Sequence, residues 1–117
     1  MMEIHHSTLD QDVHVLKPYG PLSGIISEEV KLTINEVYNQ GASHVILNLE
    51  EVPFIDSRGL AVLASVLKSA NSDGRTLRLT GPQSQPKLVF ELTGFDKVFH
   101  IFETVAAATA QPSLELA

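Results

Sequence analysis

Cysteine and tryptophan are both absent from this chain of 117 residues, and aromatic side chains make up 6% of it. Without cysteine, a disulfide scaffold, a thiolate zinc site, an iron–sulfur cluster and a cysteine nucleophile are excluded. The longest apolar stretches fall far short of the roughly 18 residues that a membrane-spanning helix needs. The first residues show no basic start followed by an apolar run, which would mark a signal peptide. We therefore expect a cytoplasmic protein without membrane insertion.

The composition is typical of a compact folded domain. Hydrophobic residues make up 44% of the chain and charged residues 19%, a balance that argues against disorder. The formal net charge of −6 has the wrong sign for general nucleic-acid binding. Residues 1–56 carry net −7 and residues 57–117 carry net +1, so the acidity is concentrated in the first half. That half is either a surface for a basic partner or a solvated acidic face.

Strands and helices are predicted to alternate along most of the chain. A hairpin is predicted from strands over 5–10 and 13–19, joined by a turn at Asp10-Gln11-Asp12. Further strands are predicted over 44–49 and 76–80, with a short strand or extended segment over 98–102. Helices are predicted after an N-cap at Ser27, over about 58–70, over 87–92, and over about 105–110 after Thr104. This order predicts an α/β fold in which a mixed β-sheet, with parallel pairs and an edge hairpin, packs against about four helices.

The helix predicted over about 58–70 carries a wide apolar stripe. Its apolar residues lie on two adjoining faces: Leu60, Leu63, Ala64 and Leu67 on one, with Val62, Val66 and Ala70 beside them. A surface helix needs a narrower stripe than this. The helix therefore either packs centrally in the domain, or it presents part of the stripe to a partner or a second copy.

Nucleotide and metal motifs are weak or absent. The chain has no Gly-x-x-x-x-Gly-Lys-Ser/Thr loop and no dinucleotide-binding glycine pattern. Five histidines are present, and His6 and His14 are placed to face each other across the predicted hairpin. They form either a weak, adventitious metal site or, as the pattern favours, ordinary surface residues of an edge strand. We expect no resident cofactor or metal.

Ser57 follows a short apolar segment and precedes an apolar helix, with Asp56, Arg58 and Gly59 around it. In the simplest interpretation, Asp56 or Ser57 is only a helix N-cap. A nucleophilic serine on a strand-to-helix turn would need glycine at position 55, where this chain has Ile55. The third interpretation is a phosphorylation switch. A phosphate adds about −1.5 to −2 charges, which a helix N-terminus tolerates and a partner's interface does not.

Three segments resemble the signature of STAS domains, the family of the bacterial anti-sigma factor antagonists. They are NLEEVPFIDSRGL at residues 48–60, GRTLRLTGP at 74–82 and LTGFDKVF at 92–99. In that family the first segment ends in Phe-hydrophobic-Asp-Ser-x-Gly-Leu, which matches residues 54–60. The resemblance covers residues 3–110. It implies a single STAS-like domain over 1–117, with an ordered core of about 3–110.

The resemblance implies a phosphorylation-controlled binding protein rather than an enzyme. In its unphosphorylated form, such a domain binds an anti-sigma factor that is also a serine kinase of the histidine-kinase-like ATPase fold, and so frees a sigma factor. The kinase phosphorylates the serine that matches Ser57, the complex dissociates, and a metal-dependent serine phosphatase restores binding. ATP belongs to the kinase. The implied partner-binding residues are Leu22, Ser23, Pro53, Phe54, Asp56, Ser57, Arg58, Gly59 and Leu60.

The chain departs from the family pattern at three positions. Ser23 stands where Asp is frequent, Asn48 where Asp is usual, and Arg58 where a second Ser is common. These changes suggest a specialised regulator, whose output is a sigma factor or a non-transcriptional pathway such as biofilm or motility control. Two other interpretations are open. One is a constitutive STAS subunit of a lipid-transport ATPase complex, in which Ser57 is only a cap; the other is a small hydrolase that uses Ser57 as its nucleophile.

Overall fold

Strands and helices alternate in the computed structural model, which describes residues 2–10 and 12–110. Among these residues, the strands are Glu3–Thr8 (β1), Val13–Tyr19 (β2), His44–Asn48 (β3), Thr76–Thr80 (β4) and His100–Phe102 (β5). The α-helices are Ser27–Asn39 (α1), Ser57–Ser72 (α2), Ser84–Thr93 (α3) and Val105–Thr109 (α4). Two 3-10 turns, Gly24–Ile26 and Phe95–Lys97, precede α1 and follow α3. The predicted order of elements is confirmed, including the edge hairpin and the short last strand.

The strands form one sheet in the order β1-β2-β3-β4-β5. β1 runs antiparallel to β2, with Glu3 opposite Tyr19 and Thr8 opposite His14. The other neighbouring strands are parallel, and a helix lies between the members of each parallel pair along the chain. Because parallel strands end at the same edge of a sheet, the loops after β2, β3 and β4 and the segment after β5 lie together at the carboxyl edge. The predicted mixed sheet is confirmed.

The sheet carries a thick apolar core on one face and a thin one on the other. On the first face, α1, α2 and α3 contribute buried side chains to a continuous core, among them Ile34 and Leu63. On the second face, the short helix α4 contributes Ala108 to a smaller cluster with Val15 and Ile46. The side chain of Thr104 caps α4 as predicted, since its Oγ1 accepts a hydrogen bond from the Ala107 N–H at 3.0 Å.

Central packing explains the wide apolar stripe of α2. The helix packs against α1 and β4, and its buried residues come from both adjoining faces: Gly59, Leu60, Val62, Leu63, Val66, Leu67 and Ala70. A helix covered on two sides needs apolar residues on both. The stripe therefore belongs to the core of the domain. Packing within the domain, rather than contact with a partner or a second copy, therefore accounts for these buried residues.

Two helices begin elsewhere than predicted. The N-cap of α1 is Ile26, whose φ of −61° and ψ of −32° are already helical because the 3-10 turn leads straight into the helix. The prediction of Ser27 as the N-cap was therefore wrong; Ser27 is buried, and its hydroxyl donates to the Gly24 carbonyl at 2.6 Å. α3 begins at Ser84 rather than at 87, since Pro86 lies in the first turn, where its missing N–H costs no intrahelical bond. Within the described ranges, no helix combines the length and apolar character needed to span a bilayer.

Candidate functional site

The loops that follow β2 and β3 lie side by side at the carboxyl edge of the sheet. The Leu22 N–H donates to the Phe54 carbonyl at 2.9 Å, and the Asp56 N–H donates to the Leu22 carbonyl at 3.2 Å. Leu22 and Ile55 form a parallel bridge, which extends the pairing of β2 and β3 past the ends of both strands. The two loops therefore form one surface, and we refer to residues 22–26 and 53–60 as the Ser57 site.

The Asp56 carboxylate ties both loops to the start of α2. Asp56 is the N-cap, and its Oδ1 accepts a hydrogen bond from the Gly59 N–H at 2.9 Å. Its Oδ2 accepts a second bond from the Gly24 N–H at 3.0 Å. The Gly59 bond, with smaller help from Gly24 and against an opposing effect of desolvation, holds the pKa of Asp56 below its usual value. The start of α2 and the loop after β2 therefore share one ionised carboxylate.

Gly59 allows the first turn of α2 to approach the neighbouring loop closely. A Cβ atom at this position would lie 2.1 Å from the Leu22 carbonyl oxygen and 2.9 Å from the Leu22 carbonyl carbon. Leu22 is 1% exposed, and Leu60, the residue after Gly59, is 9% exposed, so both of these apolar side chains are buried. No side chain fits between the helix and the loop, which explains why glycine stands two residues after Ser57.

Ser57 is the first residue of α2, and it is exposed. The N-terminus of an α-helix carries partial positive charge, which favours a negative group there. The adjacent Arg58 adds a full positive charge; its Nε lies 3.9 Å from the Glu28 Oε2, and both of these side chains are exposed. Ser57 is therefore exposed at a helix N-terminus, a place that tolerates a negative group such as a phosphate.

Exposed apolar side chains flank Ser57 on both loops. Ile25 is 74% exposed, Ile26 42% and Phe54 44%. Ile25 follows Gly24, which is bonded to Asp56, and Phe54 precedes Asp56 by two residues. Clusters of exposed apolar side chains mark interaction surfaces. Ile25 and Ile26 were not among the partner-binding residues predicted from the sequence. The sequence feature that could have indicated them is the pair of bulky apolar residues after Gly24, because one short turn cannot bury both.

The nine residues predicted to bind a partner separate into two groups. Those that offer side chains at the surface are Pro53, Phe54, Ser57 and Arg58, with Ser23 and Asp56 partly exposed. Leu22, Gly59 and Leu60 are buried within the domain, and Leu22 and Gly59 form the close contact between the loop after β2 and α2. These three support the surface from within the domain. The role of all nine residues in binding a partner stays a prediction.

Two of the three histidines of the hairpin, His6 and His14, lie together as predicted. His6 Nε2 is 2.7 Å from His14 Nδ1, across β1 and β2. Metal sites in proteins use three or four ligands of this kind. Within residues 2–10 and 12–110, no group of three or more His, Asp or Glu side chains is placed to hold a metal ion. The pair is therefore a local cross-strand contact on the edge hairpin.

The sequence model of the STAS domain family matches residues 6–108, so the chain belongs to the STAS domain family. It is similar to the anti-sigma-B factor antagonist of Staphylococcus aureus, at 27% identity over 103 residues, which are 87% of this chain and 95% of that protein. The crystal structure of a Thermotoga maritima protein, provisionally named an anti-sigma factor antagonist, has a TM-score of 0.84 and 29% identity, with 92% of each chain covered. The family suggested by the three sequence motifs is confirmed.

The same fold occurs in SpoIIAA, a protein named as an anti-sigma factor antagonist. Its unphosphorylated form has a TM-score of 0.77 at 18% identity, with 92% of this chain and 93% of SpoIIAA covered. The phosphorylated form of the Bacillus protein has a TM-score of 0.71 at 19% identity, with 92% and 97% covered. The predicted α/β fold, a mixed sheet with four helices, is confirmed by these structures and by the Thermotoga structure.

Proposed function

We propose that this chain is a phosphorylation-controlled binding regulator of the anti-sigma factor antagonist type. When Ser57 is unphosphorylated, the Ser57 site binds an anti-sigma factor that is also a serine kinase of the histidine-kinase-like ATPase fold. The kinase phosphorylates Ser57 and the complex dissociates, after which a metal-dependent serine phosphatase restores binding. The observation that carries this proposal is the exposed Ser57 hydroxyl at the first residue of α2, on a surface where Ile25 and Phe54 are also exposed.

A phosphate on Ser57 would change this surface more than it would change the fold. It adds about −1.5 to −2 charges at a helix N-terminus, where the helix dipole stabilises negative charge. Arg58 lies next to it and contributes a positive charge. Against an apolar partner surface, the same phosphate would lose its water without gaining a counter-charge, which is costly. The free domain therefore tolerates the modification, whereas the complex does not.

The relatives support the general type of this regulator. The Staphylococcus aureus protein is named as an antagonist of an anti-sigma factor, and SpoIIAA has been solved with and without phosphate. In our proposal this chain performs no chemistry itself, since the kinase supplies ATP and the phosphatase removes the phosphate. The proposed setting is the cytoplasm, where ATP is available to such a kinase.

Affinity capture with three baits tests the proposal: the wild type, Ser57→Ala and Ser57→Asp, each incubated with native lysate and analysed by mass spectrometry. We expect the wild type and Ser57→Ala to retain a protein with a histidine-kinase-like ATPase domain. Ser57→Asp should retain about tenfold less, because the carboxylate enters the interface unpaired. The retained kinase should then phosphorylate the wild type with ATP, and peptide mapping should place the phosphate on Ser57.

Ser65→Asp is the matched control, since Ser65 is an exposed serine further along the same helix. It introduces the same charge into α2 without touching the Ser57 site. We expect Ser65→Asp to retain the partner as the wild type does, and all variants to keep cooperative thermal unfolding. Equal retention of the partner by Ser57→Asp and Ser57→Ala would contradict the proposal. If all baits retained the same transporter ATPase, the chain would instead be a constitutive subunit.

A further inference from the structure

A cleft of about 700 Å³ opens at the other end of the carboxyl edge, above β4 and β5. It lies between the loop that leads from β4 into α3 and the segment that joins β5 to α4, and it shares no residue with the Ser57 site. Clefts outside the carboxyl ends of parallel strands are common places for ligands in α/β proteins. The volume falls within the range of about 300–1,000 Å³ that binding sites usually have. We refer to it as the β4–β5 cleft.

Three apolar residues line the β4–β5 cleft: Phe90 from α3 and Ile101 and Phe102 from β5. Phe90 and Ile101 pack with the main core on one face of the sheet, whereas Phe102 packs with the smaller cluster on the other face. Phe90 is 1% exposed and belongs to the main core, whereas Ile101 and Phe102 are only partly buried. Part of this apolar surface is therefore open to solvent, and a bulky apolar side chain placed on it would be stabilised by removal from water.

The rim of the same cleft is acidic. Four carboxylates line it, those of Glu50, Glu91, Asp96 and Glu103, together with the single ammonium group of Lys87. All five of these side chains are exposed. The described lining therefore has a formal charge of −3. Like charges held around one concave surface favour an occupant of opposite charge.

Glu50 is held in place at this rim by a buried polar residue. Asn48 is 6% exposed; its Nδ2 donates to the Glu50 Oε2 at 3.0 Å, and its Oδ1 accepts from the Glu50 N–H at 3.0 Å. An aspartate at position 48 could not donate to this carboxylate. Gly81 makes room for it, because a Cβ atom there would lie 2.7 Å from the Glu50 Cγ. One of the four rim carboxylates is therefore fixed by residues from β3 and from the loop after β4.

From this combination we infer that the β4–β5 cleft is a second docking site, for a segment of a partner protein in which Lys or Arg alternates with bulky apolar residues. The basic groups would pair with the rim, and an apolar side chain would cover Ile101 beside Phe90, on the face of the sheet that α3 covers. Residues 111–117 of the chain itself contain one acidic residue and no basic one, so they do not match the rim. A second copy is also a poor match, since each copy carries net −6.

Fluorescence anisotropy with a defined probe tests the inference. The probe is a fluorescein-labelled octapeptide of alternating Arg and Leu, compared with one of alternating Glu and Leu. The cleft variant carries Glu91→Gln, Asp96→Asn and Glu103→Gln. The matched control carries Asp12→Asn, Glu36→Gln and Asp73→Asn, three exposed acids outside the cleft. Each variant removes three of the 14 acids and so shifts the net charge from −6 to −3.

We expect the Arg–Leu peptide to bind the wild type and to bind the cleft variant about tenfold more weakly, because three exposed charge contacts are lost. The affinity of the control variant for the Arg–Leu peptide should differ from that of the wild type by less than about twofold. Amide NMR shifts should change at Gly81, Lys87 and Thr104, and not at Ser57. The inference is overturned by an absence of binding, by equal binding of the Glu–Leu peptide, by equal weakening in both variants, or by shift changes centred on Ser57. A charge reversal, Glu91→Lys, provides a second variant of a single exposed residue.

Discussion

At the β2–β3 end of the carboxyl edge, backbone hydrogen bonds, one shared carboxylate and a close glycine contact hold two loops and a helix together. At the β4–β5 end, the strands remain paired only as far as the bond from the Gly81 N–H to the Phe102 carbonyl, at 2.9 Å. Beyond this bond, the segments that follow β4 and β5 diverge and leave a cleft between them. The first end is a surface on which two loops and a helix contact one another directly, and the second is a cleft with an acidic rim.

The difference arises from the residues that come after each strand. After β3, the chain reaches Asp56 and Gly59, which cap α2 and let it lie against Leu22. After β4, Gly81 has a φ of +63° and is followed by Pro82, so the chain turns away from the sheet before α3 begins. Two loops at one edge of the same sheet thus suit different occupants. The exposed apolar side chains at the Ser57 end suit a protein contact, whereas the cleft suits a narrow segment.

Gly59→Ala should have the largest effect, since its Cβ would lie 2.1 Å from the Leu22 carbonyl oxygen. We expect the free energy of unfolding to fall by about 3 kcal/mol or more, because backbone cannot move aside as a flexible side chain can. Urea unfolding measures this loss. Gly74→Ala, just after the other end of α2, is the matched control: it has a φ of +72° and open space, so it should cost only about 1–2 kcal/mol. Equal losses in the two variants would show that the Ser57 end is not tightly packed.

Asn48→Asp tests the rigid part of the β4–β5 end. The new carboxylate would replace the amide that donates to the Glu50 Oε2, leaving two negative groups about a hydrogen-bond length apart. We expect a loss of about 1–2 kcal/mol in the free energy of unfolding at pH 7. Adding Glu50→Gln should recover most of it, since the new amide can donate to the carboxylate introduced at position 48. A double variant no more stable than Asn48→Asp alone would contradict this account of Glu50.

Asp56→Asn tests the shared carboxylate at the Ser57 end, with a smaller effect because asparagine also caps helices well. The pKa of Asp56 is lowered in the folded protein, chiefly by the Gly59 N–H. Its ionised form therefore adds stability that is fully present above the unfolded-state pKa of about 3.9 and is lost as the pH falls through the lower folded-state pKa. In urea unfolding at pH 7, we expect the wild type to have a larger free energy of unfolding than Asp56→Asn. In strong acid, this difference in stability should disappear. Asp73→Asn, just after α2, controls for net charge, and a difference that persisted in strong acid would exclude the carboxylate as its cause.

Arg58→Ala should have the smallest effect on stability, less than about 0.5 kcal/mol, because its contact with Glu28 is 3.9 Å long and exposed. A double-mutant cycle with Glu28→Gln measures the coupling between the two side chains. A coupling well above about 1 kcal/mol would mean that an ion pair, rather than backbone bonds and Asp56, holds the Ser57 end together.

Much of the fold follows from local patterns in the sequence. The hairpin was predicted from strand alternation around Asp10, and α2 from its apolar spacing and Asp56. The start of α1 was predicted wrongly because serine suits an N-cap, yet Ser27 instead donates to Gly24 inside a 3-10 turn. Leu22 and Leu60 are among the predicted partner-binding residues, but both are buried. A sequence pattern near Ser57 does not indicate which side chains the domain itself covers.

The sequence by itself determined the family, the order of elements and the position of Ser57 at a helix start, because each depends on residues close together along the chain. Only the tertiary structure decided which residues near Ser57 face solvent, since Leu22 meets Gly59 only after β2 and β3 have paired. It alone revealed the β4–β5 cleft, whose rim joins Glu50 to Glu103. Contacts between distant segments depend on how the helices pack on the sheet. The sequence pattern of any one segment does not determine them.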